Sequence, residues 1–272
     1  MDFDFKHISE PFRMHPGLSR LDTSVRHLTQ LNPASLLYRE KSLVSRAGAA
    51  LHCETGFDPS DALLTISRHA RMTGILAPSG LQRPLELAFE EDLAVLDAAT
   101  GTVPWMCVCV PSHWAPEDKL GKSLDEIHFP VADNAALAAA IPHLIGMVCN
   151  GGHWERFVWT ITPSPRYDQH PRRQARQAWP VAGDPAQFAA HCYLRAERQT
   201  FLPVLDGQER PKAQAVFTIR VMLEPLMDVV HGSEQAKRLH DALQSMTATV
   251  LAYKNLTAAR APLLAWLSGL AT

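Results

Sequence analysis

The sequence predicts an α+β fold in which an antiparallel sheet packs against helices. Three observations support this class. Helical and strand patterns occur in separate blocks along the 272 residues instead of alternating regularly. The strand-like segments form a pair in the middle of the chain and a group of three in its second half. An amphipathic segment near the C-terminus predicts a closing helix.

Helices are expected first along the chain. Asp22 or Thr23 is a candidate cap for a short helix over residues 25–31. A longer helix is expected over about residues 35–51. Asp58-Pro59 places a capping residue before a proline, which is a helix start signal, and apolar residues follow at helical spacing.

A pair of strands is expected next. Residues 92–97 and 103–110 flank Ala99-Thr100-Gly101, which has the composition of a hairpin turn. The run from 105 to 110 is almost wholly apolar, as is typical of a strand covered on both faces. Residues 114–150 contain several prolines, and we expect short helical pieces and loops there.

Three more strands are predicted in the second half, at about residues 153–162, 192–200 and 215–223. Between the first and second of them, residues 163–185 contain several prolines and a basic run, Arg172-Arg173-Gln174-Ala175-Arg176. We interpret this segment as an exposed connection.

The C-terminal segment 233–255 predicts one long helix. Ser233 is a candidate cap, and apolar residues recur at three- and four-residue steps. Two strands, a helical block and three strands match the plan of a PAS domain, in which a five-stranded sheet faces a helical segment across a ligand. We expect a single domain with a PAS-like core over about residues 86–226, preceded by a helical segment over 18–70.

Composition excludes several classes of function. There are 26 Lys plus Arg against 28 Asp plus Glu, a net charge of -2, which provides no basic footprint for nucleic acid. No apolar run is long enough to cross a membrane, and the first residues lack the apolar core of a signal peptide. The five cysteines include no CxxC, so we expect free, mostly packing thiols in a cytoplasmic protein. We leave a homo-oligomer open.

Common catalytic motifs are missing. The sequence contains no GxGxxG, no GxxxxGK[ST], no HExxH and no GxSxG. It also has no ferredoxin cysteine spacing, so electrons for any redox chemistry are expected to come from another protein. The 13 histidines include no HxH pair, which argues against a multi-histidine zinc site.

Two segments are distinctive. Residues 110–131 read VPSHWAPEDKLGKSLDEIHFPV, and residues 194–200 read LRAERQT, followed by VFTIR at 216–220 and Glu224-Pro225-Leu226. Together with FRMHPGL at 12–18 and EDL at 91–93, they resemble the heme-dependent oxidative N-demethylase family. The family pattern runs roughly PSxWxPxxKxGxxLxxIHxPV, then RxERQT, then FTIR and a Pro-Leu pair. The resemblance covers most of the chain in the family's order.

This resemblance implies heme b held in a PAS-like fold. It also implies oxidative demethylation of a small secondary amine, typically dimethylamine, with O2. The electrons would originate in NADPH and arrive through a partner reductase. Two alternatives stay open: a PAS-type heme protein that senses O2, redox state or an amine without turnover, and a PAS-like protein without heme.

Candidate site residues follow from the resemblance and the residue types. His128 follows a short helix signal and is the candidate ligand of the heme iron. The alternative is a histidine at a helix end that bonds to the last carbonyls of the helix. His113 and His153 are fallback ligands. Trp114 and Trp159 are interpreted as packing residues rather than walls of a pocket.

The strand predicted at about residues 192–200, which contains the RxERQT segment, supplies further candidates. Arg195, Glu197 and Gln199 share one strand face, and Ala196, Arg198 and Thr200 share the other. Either row could simply face solvent. If one row enters the pocket, Glu197 is the candidate acceptor for an alkylammonium group, while Arg195 or Arg198 would pair with a heme propionate. Arg220 is a further candidate, and we expect Glu197 and Arg198 to be catalytic.

Two departures from the family pattern put the substrate and the activity in question. Many members carry Arg-Ser-Asn-Trp where this chain has Arg156-Phe157-Val158-Trp159. The usual Arg-Leu-Pro after RxERQT is absent, and a polar connection over residues 206–212 follows instead.

Overall fold

A computed structural model describes residues 3–14, 17–22, 25–77, 80–132, 135–181 and 183–271. Within these residues one seven-stranded sheet is flanked by helices, which confirms the α+β class. The strands are β1 Ser19–Arg20, β2 Leu51–Cys53, β3 Asp92–Asp97, β4 Trp105–Cys107, β5 Trp154–Thr162, β6 Tyr193–Leu205 and β7 Pro211–Pro225. The helices are α1 Leu36–Arg46, α2 Ser60–Met72, α3 Leu124–His128, α4 Ala135–Cys149, α5 Pro185–Ala190, α6 Ser233–Ser245, α7 Ala248–Tyr253 and α8 Arg260–Leu270.

The strands lie in the order β1-β5-β6-β7-β3-β4-β2, and every neighbouring pair is antiparallel. The pair β3–β4 and the three strands β5, β6 and β7 therefore form one contiguous five-stranded part of the sheet. The hairpin β6–β7 is longer than expected. Asp206 closes its turn by accepting hydrogen bonds from the backbone N–H groups of Gln208 and Arg210 at 2.8 and 2.9 Å.

Alternation along the strands separates two faces of this sheet. The Glu197 face carries Arg195, Glu197 and Gln199 of β6 together with Arg156 and Val158 of β5, which pair with Gln199 and Glu197. The Arg198 face carries Ala196, Arg198 and Thr200. Because residues directly opposite in an antiparallel pair lie on the same side, the register assigns every residue of β5 and β7 to one face.

Different helices cover the two faces. On the Glu197 face, α1 packs over Ile219 and Val221, and α3 with the end of α4 packs over Ala94, Leu96 and Ala215. On the Arg198 face, α2 packs over the β3–β7 side, and the C-terminal helices cover the β5–β6 side. Between the two apolar clusters of the Glu197 face lies the strip, which is formed by the half-buried residues Arg156 and Val158 of β5 and Glu197 and Gln199 of β6.

Four expectations about elements are wrong. Residues 25–31 form no helix but run alongside residues 88–91, with a bridge between Gln30 and Phe89; the candidate cap Thr23 lies outside the described residues. Short helical pieces were expected over residues 114–150, but helix α4 has 15 residues and continues through Pro142. The closing helix is two helices, because Met246 is extended and Thr247 caps a new helix, α7, by accepting from the N–H of Val250.

The fourth expectation, an exposed connection over residues 163–185, is wrong only for its first part, since residues 171, 172 and 175–178 are exposed. Asp168, Gln169 and His170 within it are buried. Arg173 donates two hydrogen bonds of 3.0 Å to the Asp168 carboxylate and one of 2.9 Å to the carbonyl of Cys109. His170 Nε2 lies 3.1 Å from both carboxylate oxygens of Glu117. The segment is therefore a fixed strap against the loop that follows β4.

No helix in the described part of the chain is both long and apolar enough to cross a bilayer.

Candidate functional site

Glu197 lies at the centre of the half-buried strip on the Glu197 face. One of its carboxylate oxygens accepts a short hydrogen bond from the hydroxyl of Ser112, and the other accepts from the side-chain amide of Gln199 at 2.7 Å. Since Ser112 belongs to the loop after β4, 85 residues away in sequence, the carboxylate joins two separate parts of the fold. The two contacts fix the orientation of a charged acceptor that is still partly accessible.

Arg195, two residues before Glu197, is 2% exposed and bonded to protein groups. Its Nε donates to Ser112 Oγ at 2.8 Å. Its terminal nitrogens donate to the carbonyls of Val110 at 3.0 Å, Tyr167 at 2.9 Å and Arg166 at 3.3 Å. These bonds commit the guanidinium to the loop after β4 and to the strap, which argues against its predicted pairing with a propionate. Arg195 instead positions Ser112, and through it Glu197.

His128 is the last residue of α3 and lies half-buried on the helical side of the strip. A capping box between Ser123 and Glu126 fixes the start of this short helix. His128 Nδ1 lies 2.7 Å from the carbonyl of Leu124, and because a carbonyl only accepts, the proton of the neutral ring is on Nδ1. Burial is the main cause that lowers the pKa of His128, and the nearby positive charge of Arg156 lowers it further. The ring is therefore neutral, with its lone pair on Nε2, the form that binds iron.

Three residues near Glu197 escaped the sequence predictions as site residues. Arg156 lies on β5 beside Gln199, and the charge of Glu197 also acts on the exposed Tyr253 and on Lys254 at the end of α7. Lys254 Nζ donates to the carbonyl of Trp159 at 2.7 Å, and burial lowers its pKa to about 8 although the negative charge of Glu197 opposes this. The Tyr253 pKa is raised by burial first and by Glu197 second. Neither residue carried a motif, so only the fold reveals them.

Two predicted site arginines lie on the opposite face of the sheet. Arg198 donates to Glu155 Oε2 at 3.0 Å and to the carbonyl of Arg26 at 2.9 Å. Arg220, directly opposite Arg198 in the register, donates to Glu90 Oε2 at 2.7 Å. Since successive residues of a strand point to opposite faces, Arg198 does not lie on the Glu197 face, and the catalytic role expected of it stays a prediction.

The fallback histidines do not join the strip. His113 is exposed and has a left-handed backbone with φ of 61°. His153 belongs to a histidine cluster formed by His27, His69 and His153 on the side of Thr200. Of the two tryptophans predicted to pack, Trp159 is buried in the core of the Arg198 face, and Trp114 packs half-buried beside α3.

Heme fits the strip in its chemistry. Apolar residues line both sides: Phe201 and Phe217 stack on the sheet with centroids 4.8 Å apart, and Ile127, Ile145 and Trp114 lie above them. The buried Nε of Arg156 has no hydrogen-bond partner in the described chain, as expected where a ligand group is missing. No group of three His, Cys, Asp or Glu among the described residues is arranged to chelate a metal ion.

The departure at Val158 lies within this strip. Val158 is directly opposite Glu197 in the pairing of β5 and β6 and is half-buried. The residue that replaces the usual asparagine therefore borders the candidate binding carboxylate. A cleft of about 370 Å³ lies elsewhere, between the N-terminal residues and the start of α6, and contains none of the predicted site residues.

Comparison with protein families identifies the chain. Residues 69–264 match the family described as haem-dependent oxidative N-demethylase, alpha subunit-like. The matched range begins within α2 and ends within α8, so it includes all five strands of the central sheet, the α3–α4 block and every residue that lines the strip. The chain belongs to the haem-dependent oxidative N-demethylase alpha subunit-like family.

Proposed function

We propose that the protein binds heme b in the strip on the Glu197 face and oxidatively demethylates a small secondary amine such as dimethylamine. O2 is the oxidant, and two electrons come from NADPH through a partner reductase. The observation that carries this proposal is the Glu197 carboxylate, held half-buried by Ser112 and Gln199 on the face that α3 and its His128 approach. The contiguous order of β4, β3, β7, β6 and β5 supports the PAS-like character of the core.

The residues take separate roles in this proposal. His128 provides the iron ligand through Nε2, while the carbonyl of Leu124 orients its ring. Glu197 accepts the N–H groups of the ammonium form of the amine, since a charged acceptor matches a charged donor. Ser112 and Gln199 keep the carboxylate aimed into the strip. Phe201, Phe217 and the α3–α4 side chains exclude water.

The balanced reaction is (CH3)2NH + O2 + 2 e⁻ + 2 H⁺ → CH3NH2 + HCHO + H2O. Bound heme would supply the activation of O2 by its iron. One C–H bond next to nitrogen becomes C–OH, and the carbinolamine then loses its C–N bond to give the primary amine and formaldehyde. Glu197 can take the hydroxyl proton of the carbinolamine as its C=O bond forms, while the C–N electron pair leaves with the protonated nitrogen as the primary amine.

A cytoplasmic location is part of the proposal. The described residues contain five free cysteines, four of them buried and one, Cys53, exposed. Free thiols are typical of reducing compartments, because oxidising ones favour disulfides.

The test begins with the absorption spectrum of protein produced in heme-replete cells. We expect a Soret band that His128→Ala loses and His113→Ala keeps. With heme bound, dimethylamine, a reductant and O2 should release formaldehyde, and Glu197→Gln should lower this rate by about 10²-fold or more while retaining the Soret band. Absence of a Soret band after heme titration of the purified protein would refute the proposal.

The replacement of asparagine by Val158 beside Glu197 favours a second candidate, a heme protein that senses an amine without turnover. In this case dimethylamine would perturb the Soret band but release no formaldehyde. If Val158→Asn then produced formaldehyde release, the site would be a demethylase site inactivated at that position.

A further inference from the structure

Arg156 is a half-buried cation whose Nε has no hydrogen-bond partner among the described residues. It lies in the middle of β5 on the Glu197 face, directly opposite Gln199. Its Nε is buried, and no atom of the described chain is within hydrogen-bond geometry of it. A buried guanidinium donor that lacks an acceptor is costly, so such groups are usually completed by a ligand or by water.

The charge balance of the strip points to a negatively charged ligand. Glu197 is the carboxylate whose field acts on Arg156, Tyr253 and Lys254 alike. Against this negative charge stand the positive charges of Arg156 and Lys254, while Arg195 also faces the carboxylates of Asp92, Glu40 and Asp168. Arg195 is already bonded to Ser112 and three carbonyls.

Lys254 adds a second positive charge near Glu197 and cannot accept a hydrogen bond from Arg156. Its Nζ is bonded to the carbonyl of Trp159 and lies 5.3 and 5.7 Å from the ring centroids of Phe12 and Trp159. Aromatic faces and a carbonyl stabilise an ammonium group but do not neutralise it. Glu197 is bonded to Ser112 and Gln199, and no hydrogen bond joins it to Arg156 in the described part of the chain.

A guanidinium presents parallel N–H donors that match the two oxygens of a carboxylate. It also remains charged when buried, because its intrinsic pKa is very high. We propose that Arg156 binds a carboxylate group of a ligand that occupies the strip. This inference rests on the proposed function only in taking the strip as the binding site.

Two ligands can supply that carboxylate. One is a heme propionate. The other is an amine substrate that carries its own carboxylate, such as an N-methyl amino acid, with its ammonium group on Glu197 and its carboxylate on Arg156. The following experiment distinguishes these two sources.

The first arm uses zinc protoporphyrin IX and its dimethyl ester, whose propionates are capped, with binding followed by porphyrin fluorescence. If the propionate is the partner, the wild type should bind the diacid about 10- to 100-fold more tightly than the ester. Arg156→Gln should lose most of this preference, and Arg198→Gln, a matched change on the other face, should keep it. This arm needs no turnover.

The second arm compares N-methylglycine with dimethylamine, which lacks the carboxylate, by calorimetry on the heme-loaded protein and on the apoprotein. If the substrate carboxylate is the partner, Arg156→Gln should weaken N-methylglycine about 10- to 100-fold and leave dimethylamine unchanged. Circular dichroism spectra of each variant check that it is folded, and Arg156→Lys is the second variant if the first is not.

The inference is overturned if Arg156→Gln leaves unchanged both the preference for the diacid porphyrin over its ester and the affinity for N-methylglycine. It is also overturned if Arg198→Gln reduces either of them as much as Arg156→Gln does. A wild type that binds no porphyrin refutes the proposed heme function alone, because N-methylglycine binding to the apoprotein still tests the role of Arg156.

Discussion

Acidification is expected to destabilise the protein through the buried histidine cluster on the Arg198 face. His27 is 1% exposed, with Nδ1 2.8 Å from Thr200 Oγ1 and Nε2 2.7 Å from His153 Nδ1. Its backbone N–H donates to His69 Nε2 at 3.2 Å. Burial is the main cause that lowers the pKa of His27 to about 3, and the positive charges of His69, His153 and Arg198 lower it further. Burial likewise lowers the pKa of His69 to about 4.

The sign and size of the effect follow from these shifts. A histidine with a lowered pKa contributes stability that is fully present above its unfolded pKa of 6.5. This stability is lost as the pH falls from 6.5 toward the folded pKa. Between pH 8 and pH 5, His27 alone should reduce the free energy of unfolding by about 2 kcal/mol. Glu91 acts in the opposite direction, because burial raises its pKa to about 7 and its protonation favours the folded state.

The variant His27→Gln separates these contributions, since Glu91 is present in both proteins and cancels in the difference. Urea unfolding followed by tryptophan fluorescence at pH 8 and pH 5 gives the free energies. We expect the wild type to lose about 2 kcal/mol more than His27→Gln on acidification. His143→Gln, at an exposed position, is the control, and His69→Gln replaces His27→Gln if that variant does not fold. Equal pH dependence of His27→Gln and the wild type would refute the reasoning.

Two further stability predictions concern buried cations. Arg195→Gln should lower the free energy of unfolding by about 3 to 5 kcal/mol, because four acceptors lose a charged donor. A loss below about 1 kcal/mol, measured by urea unfolding, would contradict this prediction. Lys41→Met should cost about 3 to 5 kcal/mol, since it leaves Asp92, 3.0 Å from the ammonium, buried and uncompensated. The double variant with Asp92→Asn should recover part of that loss. If the losses of the two single variants simply add in the double variant, the two residues are not coupled.

Most strands were predictable because their signals are local. Residues 92–97 and 153–162 alternate or run apolar between turn signals, and β3 and β5 lie at these positions. The segment over residues 25–31 was not predictable, because its apolar spacing fits a helix equally well. Its N–H and C=O groups are used instead by residues 88–90: the N–H of Leu31 donates to the carbonyl of Ala88 at 3.1 Å. A tertiary pairing here overrides a local preference.

Part of the candidate site was also predictable. Strand periodicity alone assigned Glu197 and Gln199 to one face and Arg198 to the other, as the structure has them. The roles of Ser112 and Arg156 were not accessible. Ser112 is a site residue only because its loop crosses the sheet at Glu197, and Arg156 only because no acceptor reaches its Nε. Both residues lie in segments that the family pattern covers, but their contacts depend on packing between distant parts of the chain.

The two faces of β6 handle buried polarity in opposite ways. On the Arg198 face the polar groups of β6 are paired: Arg198 with Glu155, Thr200 with Thr218 at 2.7 Å, and Thr200 also with His27. On the Glu197 face the central strip stays half-buried and holds a guanidinium that lacks an acceptor. Unpaired polarity reduces stability, so a fold retains it where a ligand completes it. Polar substitutions on the Arg198 face should therefore act mainly on unfolding, and those in the strip mainly on binding.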